Sequence, residues 1–365
     1  MKKICFYSSA TGYGGAEIYL ENLIIGCLSH GYKCTLLYNK DNQRFLESAV
    51  SNGIECVPIA IKGEYSLRQY FQVSKVLRDI KPDIFHINLP GPWNAQLISL
   101  VAKLSMVRSI VTTEHLPMFG PSIRHSLFKY IDSMLIDKCI AVSHDNVQYL
   151  RKLHAIPKDK IKVIHNGIDV AKYNLKTNED DSNIGTINKF NVGIVGRLTE
   201  QKGHKYAIEA FSILCKAHDD LVLSIYGDGE LLDQCKGQVE SLGISEYVVF
   251  HGFVSDMPQV YQNIDVLLMP STFEALPLTL LESMASGVPA IASNINGIPE
   301  IIDNNVDGML IRPREPQDIV DSINVILNDR NKVQNMAVSA RDKILAQFSL
   351  EIMINNTTNV YKNIL

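Results

Sequence analysis

The 365-residue sequence contains no apolar run near the roughly 20 residues that a bilayer-spanning helix needs. It has no low-complexity block and one tryptophan. Its seven cysteines (Cys5, Cys27, Cys34, Cys56, Cys139, Cys215 and Cys235) are scattered, odd in number and never spaced C-x-x-C. That argues against a disulfide framework and reads as free, buried thiols in a reducing compartment. The ten histidines form no H-x-x-x-H pair and no His/Cys cluster, so no structural zinc site is expected. The opening MKKICFYSSATGYGG has the two lysines of a signal peptide, but its apolar stretch is short and breaks into Gly and Tyr. It reads as the first strand of a cytoplasmic protein.

What is present is globular: 46% hydrophobic and 20% charged residues. The length is too great for one ordinary core and suits two domains. The net charge of −4 hides an asymmetry: residues 1–186 carry 22 Lys+Arg against 17 Asp+Glu, and residues 187–365 carry 13 against 22. A basic first half favours an anionic partner, a membrane face rather than nucleic acid. On charge alone an uneven solvated surface accounts for it equally well.

Short, near-continuous apolar runs (KKICFYSS, CTLLYN, DIFHINL, SIVTTEH, KCIAVS, IKVIHNG) alternate with helical patterns. This is the rhythm of a buried parallel sheet with crossover helices. Residues 176–189, KTNEDDSNIGTINK, are polar and acidic and read as a linker. The rhythm then restarts with FNVGIVGR, LVLSIYG, YVVFHGFV, DVLLMPS, PAIAS and GMLIRP. The expected organisation is a Rossmann-like domain over 1–175, the linker over 176–189, and a second over 190–345. The last helical stretch, about 346–365, is expected to pack back on the first domain. Ligands belong at the carboxyl ends of the strands, in a cleft between two doubly wound α/β domains.

Four loops carry candidate chemistry. GYGGAE, residues 12–17, follows the first strand and opens a helix, where amides and the helix dipole favour an anion. Glu17 stands where a dinucleotide fingerprint needs glycine, and no Walker pattern follows. A tight turn and a phosphate seat both fit. VGRLTEQKG, residues 195–203, puts Arg197 and Lys202 at a strand end, where two cations suit a diphosphate or are simply solvated. SIYGDGE, residues 224–230, ends a strand in Gly227 and Gly229, allowing close backbone approach or a plain turn. STFEALPLTLLESMASGVPAIAS, residues 271–293, places Glu274 on a loop and Glu282 inside the following helix. The two acids can each grip vicinal hydroxyls, with uncapped helix amides between them as another phosphate seat.

This constellation resembles the retaining glycosyltransferases of family 4, which have the GT-B fold. GGAE, TTEH, IHNGID, VGR with KG, YGDGE, FHGFV, PSTFEALPLTLLESMASGVPAIAS and NGIPEII all occur in the family's order. The resemblance implies that Arg197 and Lys202 neutralise the donor diphosphate, and that Glu282 binds the ribose. Glu274 faces the donor sugar, and the backbone at Leu276 and Leu278 reaches sugar or phosphate. It likewise implies that Gly14 and Gly15 lie beside the phosphates, that His115 touches the donor sugar, and that Asn166 and Gly167 form a hinge. One departure stands out. The family often has a second histidine two places after His86, and here Asn88 occupies it, so His86 is read as a core histidine.

The implied activity is a hexosyltransferase, moving a sugar from a nucleotide-diphosphate sugar to a glycan or lipid-linked acceptor in cell-surface polysaccharide or glycolipid synthesis. Retention by double displacement needs a carboxylate beneath the anomeric carbon. Glu274 is the one candidate, and the resemblance assigns it to sugar binding, which leaves a front-face route. Cations and amides make a metal or other cofactor unnecessary. The rivals are a nucleotide-sugar epimerase on the same frame, which needs no acceptor, and a non-catalytic sugar-nucleotide-binding protein. Arg124, His125 and Lys129, in an amphipathic stretch, and RKLHAIPKDKIK would suit peripheral docking at the inner, anionic face of a membrane, although such stretches are more often ordinary solvated helices.

Overall fold

The computed structural model describes residues 1–61, 67–91, 97–116, 123–173 and 189–365. The linker expected over 176–189 lies outside the described residues except for Lys189. The chain forms two compact units: Met1–Gly167 with Leu350–Leu365, and Ile168–Ser349. Each is a Rossmann-like parallel sheet with helices on both faces.

The first unit runs β1 (Lys3–Ser8), α1 (Gly15–Ser29), β2 (Lys33–Asn39), α2 (Gln43–Ser51), β3 (Glu55–Ile59), α3 (Leu67–Ile80), β4 (Ile84–Leu89), α4 (Ile98–Leu104), β5 (Ser109–Glu114), α5 (Ile123–Leu135), β6 (Lys138–Ala141), α6 (His144–Leu153) and β7 (Ile161–Val163). Among the described residues its sheet has the order β3-β2-β1-β4-β5-β6-β7. Period-two alternation splits each strand between two cores. In β1, Ile4 and Phe6 enter the cluster built with α1, while Cys5 and Tyr7 enter the opposite one, with Val73 and Leu77 of α3. The strand order reverses between β1 and β4, so the loops leaving these two strands splay apart and open a crevice.

β3 was not anticipated from sequence. ECVPI carries a glutamate and Pro58, and proline removes a ladder donor. The strand survives because it is an edge, paired among the described residues only with β2.

The second unit runs β8 (Phe190–Val195), α7 (His204–Leu214), β9 (Leu221–Tyr226), α8 (Leu232–Ser241), β10 (Val248–Gly252), α9 (Met257–Gln262), β11 (Val266–Met269), α10 (Leu278–Ala285), β12 (Ala290–Ser293), α11 (Ile298–Ile301), β13 (Met309–Ile311), α12 (Pro316–Asn328) and α13 (Arg330–Gln347). Its sheet order is β10-β9-β8-β11-β12-β13, reversing between β8 and β11. The glycine loop after β8 and the two-glutamate loop after β11 therefore leave adjacent strands at the reversal.

The final helical stretch breaks at Phe348 and Ser349, and α14 (Leu350–Ile364) belongs to the first unit. It lies so close to α1 that a Cβ on Gly26 would sit 2.2 Å from Ile354 Cδ1. No helix among the described residues is long and apolar enough to cross a membrane.

Candidate active site

In the second unit, the strand-end loops are knitted by their own backbone. Gly196 N–H donates to Tyr226 O and Gly227 N–H to Gly252 O, at 2.9 and 2.7 Å. Gly227 has φ +146°, and a Cβ there would lie 1.9 Å from Gly196 O, so only glycine fits this crossing. The turn after β8 carries Arg197 exposed, with no ion-pair partner among the described residues. Lys202 folds back instead: its Nζ donates to Glu274 Oε1 at 2.6 Å. Ser271 Oγ donates to the same oxygen at 2.8 Å. Gln201 ties the two loops together, its O accepting from Thr272 N–H and its side-chain amide donating to Phe273 O. A cation, a carboxylate and a hydroxyl are thus fixed at one sheet edge.

The helix α10 begins directly beyond this loop. Its N-cap is Pro277, which supplies no side-chain cap, so the first-turn amides from Leu278 on have no partner within the helix. Leu276 and Leu278 are buried beside it. Glu282 is also buried, and burial pushes its carboxyl upward. Its Oε2 accepts from Tyr261 Oη at 2.9 Å, and the Tyr173 hydroxyl is a second donor. Two donors leave a carboxylate further lone pairs for a diol.

In the first unit, Gly14 caps α1 and Gly15 begins it. Glu17 reaches back so that its Oε2 accepts from Gly14 N–H at 2.9 Å. The residue that breaks the dinucleotide fingerprint therefore occupies one of the turn's amides. His115 follows β5. Its backbone N–H donates to Leu89 O, its Nε2 lies 2.8 Å from Asn88 Oδ1, and Tyr19 meets it edge-on at 4.7 Å. Burial drives the imidazole down to about 3, so it is neutral at any ordinary pH. His86 is a buried core residue held by Tyr361 Oη of α14 and by Thr113 Oγ1. Asn166 is buried, and Gly167 N–H is directed at Met353 Sδ.

Two family models match the chain: glycosyltransferase family 4 over residues 13–172, and glycosyl transferases group 1 over residues 177–343. The chain belongs to the group 1, family 4 glycosyltransferases. An uncharacterised glycosyltransferase of Methanocaldococcus jannaschii is 29% identical over 242 residues, 64% of this chain and 62% of its own length. The UDP-Gal:alpha-D-GlcNAc-diphosphoundecaprenol alpha-1,3-galactosyltransferase of Escherichia coli is 28% identical over 310 residues, 81% of this chain and 79% of its own. Among solved structures, Anabaena HepE in complex with UDP superposes with a TM-score of 0.85 at 20% identity, covering 100% of both chains.

Against this glycosyltransferase frame, several side chains lacked a sequence signal. Nothing in the spacing marked Tyr173 and Tyr261 as partners of Glu282, because they approach from separate segments. Gln201 and Ser271 lay inside quoted motifs, but their side chains serve the loops themselves. The stretch holding Arg124, His125 and Lys129 needs correction. The side chains of Arg124 and His125 lie outside the described residues. Lys129 is not a membrane-facing cation: it is 6% exposed, and its Nζ donates to the buried Glu114 Oε1 at 2.9 Å. A buried carboxylate at the end of β5 demands a cation, and α5 turns its polar side inward to supply one. Lys129, Asp132 and Ser133 line a cavity of about 10 Å³ with Glu114, while Leu127, Tyr130 and Met134 point outward, each half exposed or more. In RKLHAIPKDKIK, His154 is likewise buried, whereas Arg151, Lys152, Lys158 and Lys162 are exposed.

Proposed function

We propose that the chain transfers a hexosyl group from a uridine-diphosphate sugar to a hydroxyl of a glycan or lipid-linked acceptor, with retention of anomeric configuration. The observation that carries this reading is the Lys202–Glu274–Ser271 group beside the uncapped start of α10. A fixed cation and free amides at one sheet edge suit a departing diphosphate, and preorganised charge of this kind supplies the largest single share of many barrier reductions. The E. coli relative's name specifies a UDP-sugar donor and a lipid-diphosphate acceptor, and HepE is seen with UDP-glucose.

In the proposed reaction the bond from the anomeric carbon to the phosphate oxygen breaks, and a bond to the acceptor oxygen forms on the same face. The acceptor's proton passes to the departing phosphate. Arg197 and Lys202 hold the diphosphate, Glu282 the ribose and Glu274 the sugar. Backbone at Leu276, Leu278 and Gly227 lies against the donor; Gly14, Gly15 and His115 complete its surroundings. Glu274 is a poor nucleophile with one oxygen held by both Lys202 and Ser271, which supports the front-face route over double displacement. No metal has a role in this scheme. Peripheral contact with an anionic bilayer draws on the outward apolar stripe Leu127, Tyr130 and Met134 and on the exposed Arg151, Lys152, Lys158 and Lys162.

The test is a thermal-shift screen of UDP-, GDP- and ADP-sugars, followed by transfer to lipid-linked acceptors with the product's anomeric coupling read by NMR. The reading expects stabilisation by UDP-sugars, since a ligand selective for the folded state raises the melting point, and an α-linked product from an α-linked donor. Sugar interconversion with donor alone would favour the epimerase instead.

A further inference from the structure

Asn88 holds the place of an expected histidine, and its hydrogen bonds decide how His115 is presented. Its Nδ2 donates to Ala16 O at 3.1 Å, in the first turn of α1. A carbonyl can only accept, so the amide orientation is fixed and Oδ1 is the atom facing His115 Nε2 at 2.8 Å. Oδ1 can only accept as well. The ring nitrogen it meets must therefore carry the proton, and Nδ1 is left with the lone pair. Asn88 is fully buried, and His115 nearly so, with Tyr19 against its face. No other ring hydrogen bond of His115 is found among the described residues.

We infer that Asn88 is a positioning residue: it locks His115 in the Nε2–H tautomer, ties that ring to the glycine turn before α1, and leaves Nδ1 as a hydrogen-bond acceptor for a hydroxyl of the donor sugar. In this role the imidazole accepts one hydrogen bond from a substrate hydroxyl and passes no proton. A neutral histidine at position 88 would also offer one donor and one acceptor, but its ring can exchange tautomers or take a second proton, whereas the amide's donor and acceptor are fixed and do not titrate. Among the described residues, the titratable groups around the pair are His86 on β4, Tyr19 on α1 and Glu114, which precedes His115 on β5 and is paired with Lys129.

The consequence for transfer rests on the glycosyltransferase reading; the tautomer does not. The experiment is therefore two-part, on the full chain. Ring ¹⁵N spectra of histidine-labelled protein, with His115 identified by its loss in His115→Gln, read the tautomer without any substrate. The expected result is a neutral Nε2–H ring across pH 5 to 8 in the unmodified chain, and a titration midpoint at least about one unit higher in Asn88→Asp, where a carboxylate faces the ring N–H. An Nδ1–H ring, or an unmoved midpoint in a folded Asn88→Asp, overturns the inference. Kinetics with a UDP-sugar then compare Asn88→Ala and Asn88→Asp with the unmodified chain. The expectation is a loss of at least tenfold in kcat/KM for both and, for Asn88→Asp only, a new acid limb in the pH profile. Equal profiles in all three proteins overturn the positioning role. Absence of turnover in every protein counts against the transfer reading and leaves the ring measurement to decide the inference.

Discussion

The two units build their candidate residues with opposite electrostatics. In the second unit the residues at the sheet reversal are ionic and partly open: Lys202 is 19% exposed against Glu274 at 7%, with Arg197 nearby in the open. In the first unit they are neutral and dry. His115 and His86 are both pushed to about 3 by burial, and the amide of Asn88 makes the connections. Of that unit's buried charges, Glu114 and Lys129 pair with each other, Asp132 lies beside them, and Glu17 accepts from the Gly14 turn. The comparison teaches that the candidate residues of one unit are held by ion pairing, whereas those of the other are held by burial and neutral hydrogen bonds.

Breaking the ionic side should have the largest effect. Glu274→Ala releases Lys202 and Ser271 together and is expected to lower kcat/KM about a hundredfold, with less than about 1 kcal/mol of stability lost because the pair is partly solvated. Steady-state kinetics and urea unfolding on the same samples check this. The mirror experiment in the first unit is Lys129→Met, which strands the Glu114 carboxylate. It is expected to cost about 3 kcal/mol in urea unfolding while a UDP-sugar still binds the folded fraction.

Acid sharpens the contrast further. His86, His115 and His154 have folded values pushed down to about 3, 3 and 4 from an ordinary 6.5. Their contribution is fully present above about 6.5, where unfolded histidine is also neutral, and is lost as pH falls toward those values. The second unit has His204, at about 4, and the less buried His251. Hydrogen exchange between pH 7 and 4.5 should therefore show the first unit's sheet losing protection before the second's. The smallest effect expected is at Asp132, raised to about 6 chiefly by burial. A raised acid favours folding below about 4 and loses that contribution as pH climbs through 6. Asp132→Asn should accordingly stabilise by about 1 kcal/mol at pH 8 and by nothing measurable at pH 4. A gain at both pH values would mean that its charge is not the cost.

Much of this was legible in the sequence, for physical reasons. Buried parallel strands read as apolar runs, and glycine crossings such as Gly227 leave their mark because no other residue fits. The loops bearing Lys202 and Glu274 are local, so their motifs survive as short strings. Three features were hidden. The edge strand β3 tolerates Pro58 and so lacks the pattern of its neighbours. Tyr173 and Tyr261 reach Glu282 from 109 and 21 positions away in the chain, a relation that no local spacing encodes. The helix α5 is amphipathic, but its polar side, with Lys129, Asp132 and Ser133, faces in, so its pattern pointed the wrong way. Glu114, on a different element, decided the orientation.

The most direct test of the central claim is the transfer rate of Lys202→Ala with a UDP-sugar and a lipid-linked acceptor, measured beside its melting temperature. The account predicts a fall of about a hundredfold or more in kcat with the melting point within a few degrees of the unmodified chain. A folded Lys202→Ala that turns over within threefold of normal would contradict it.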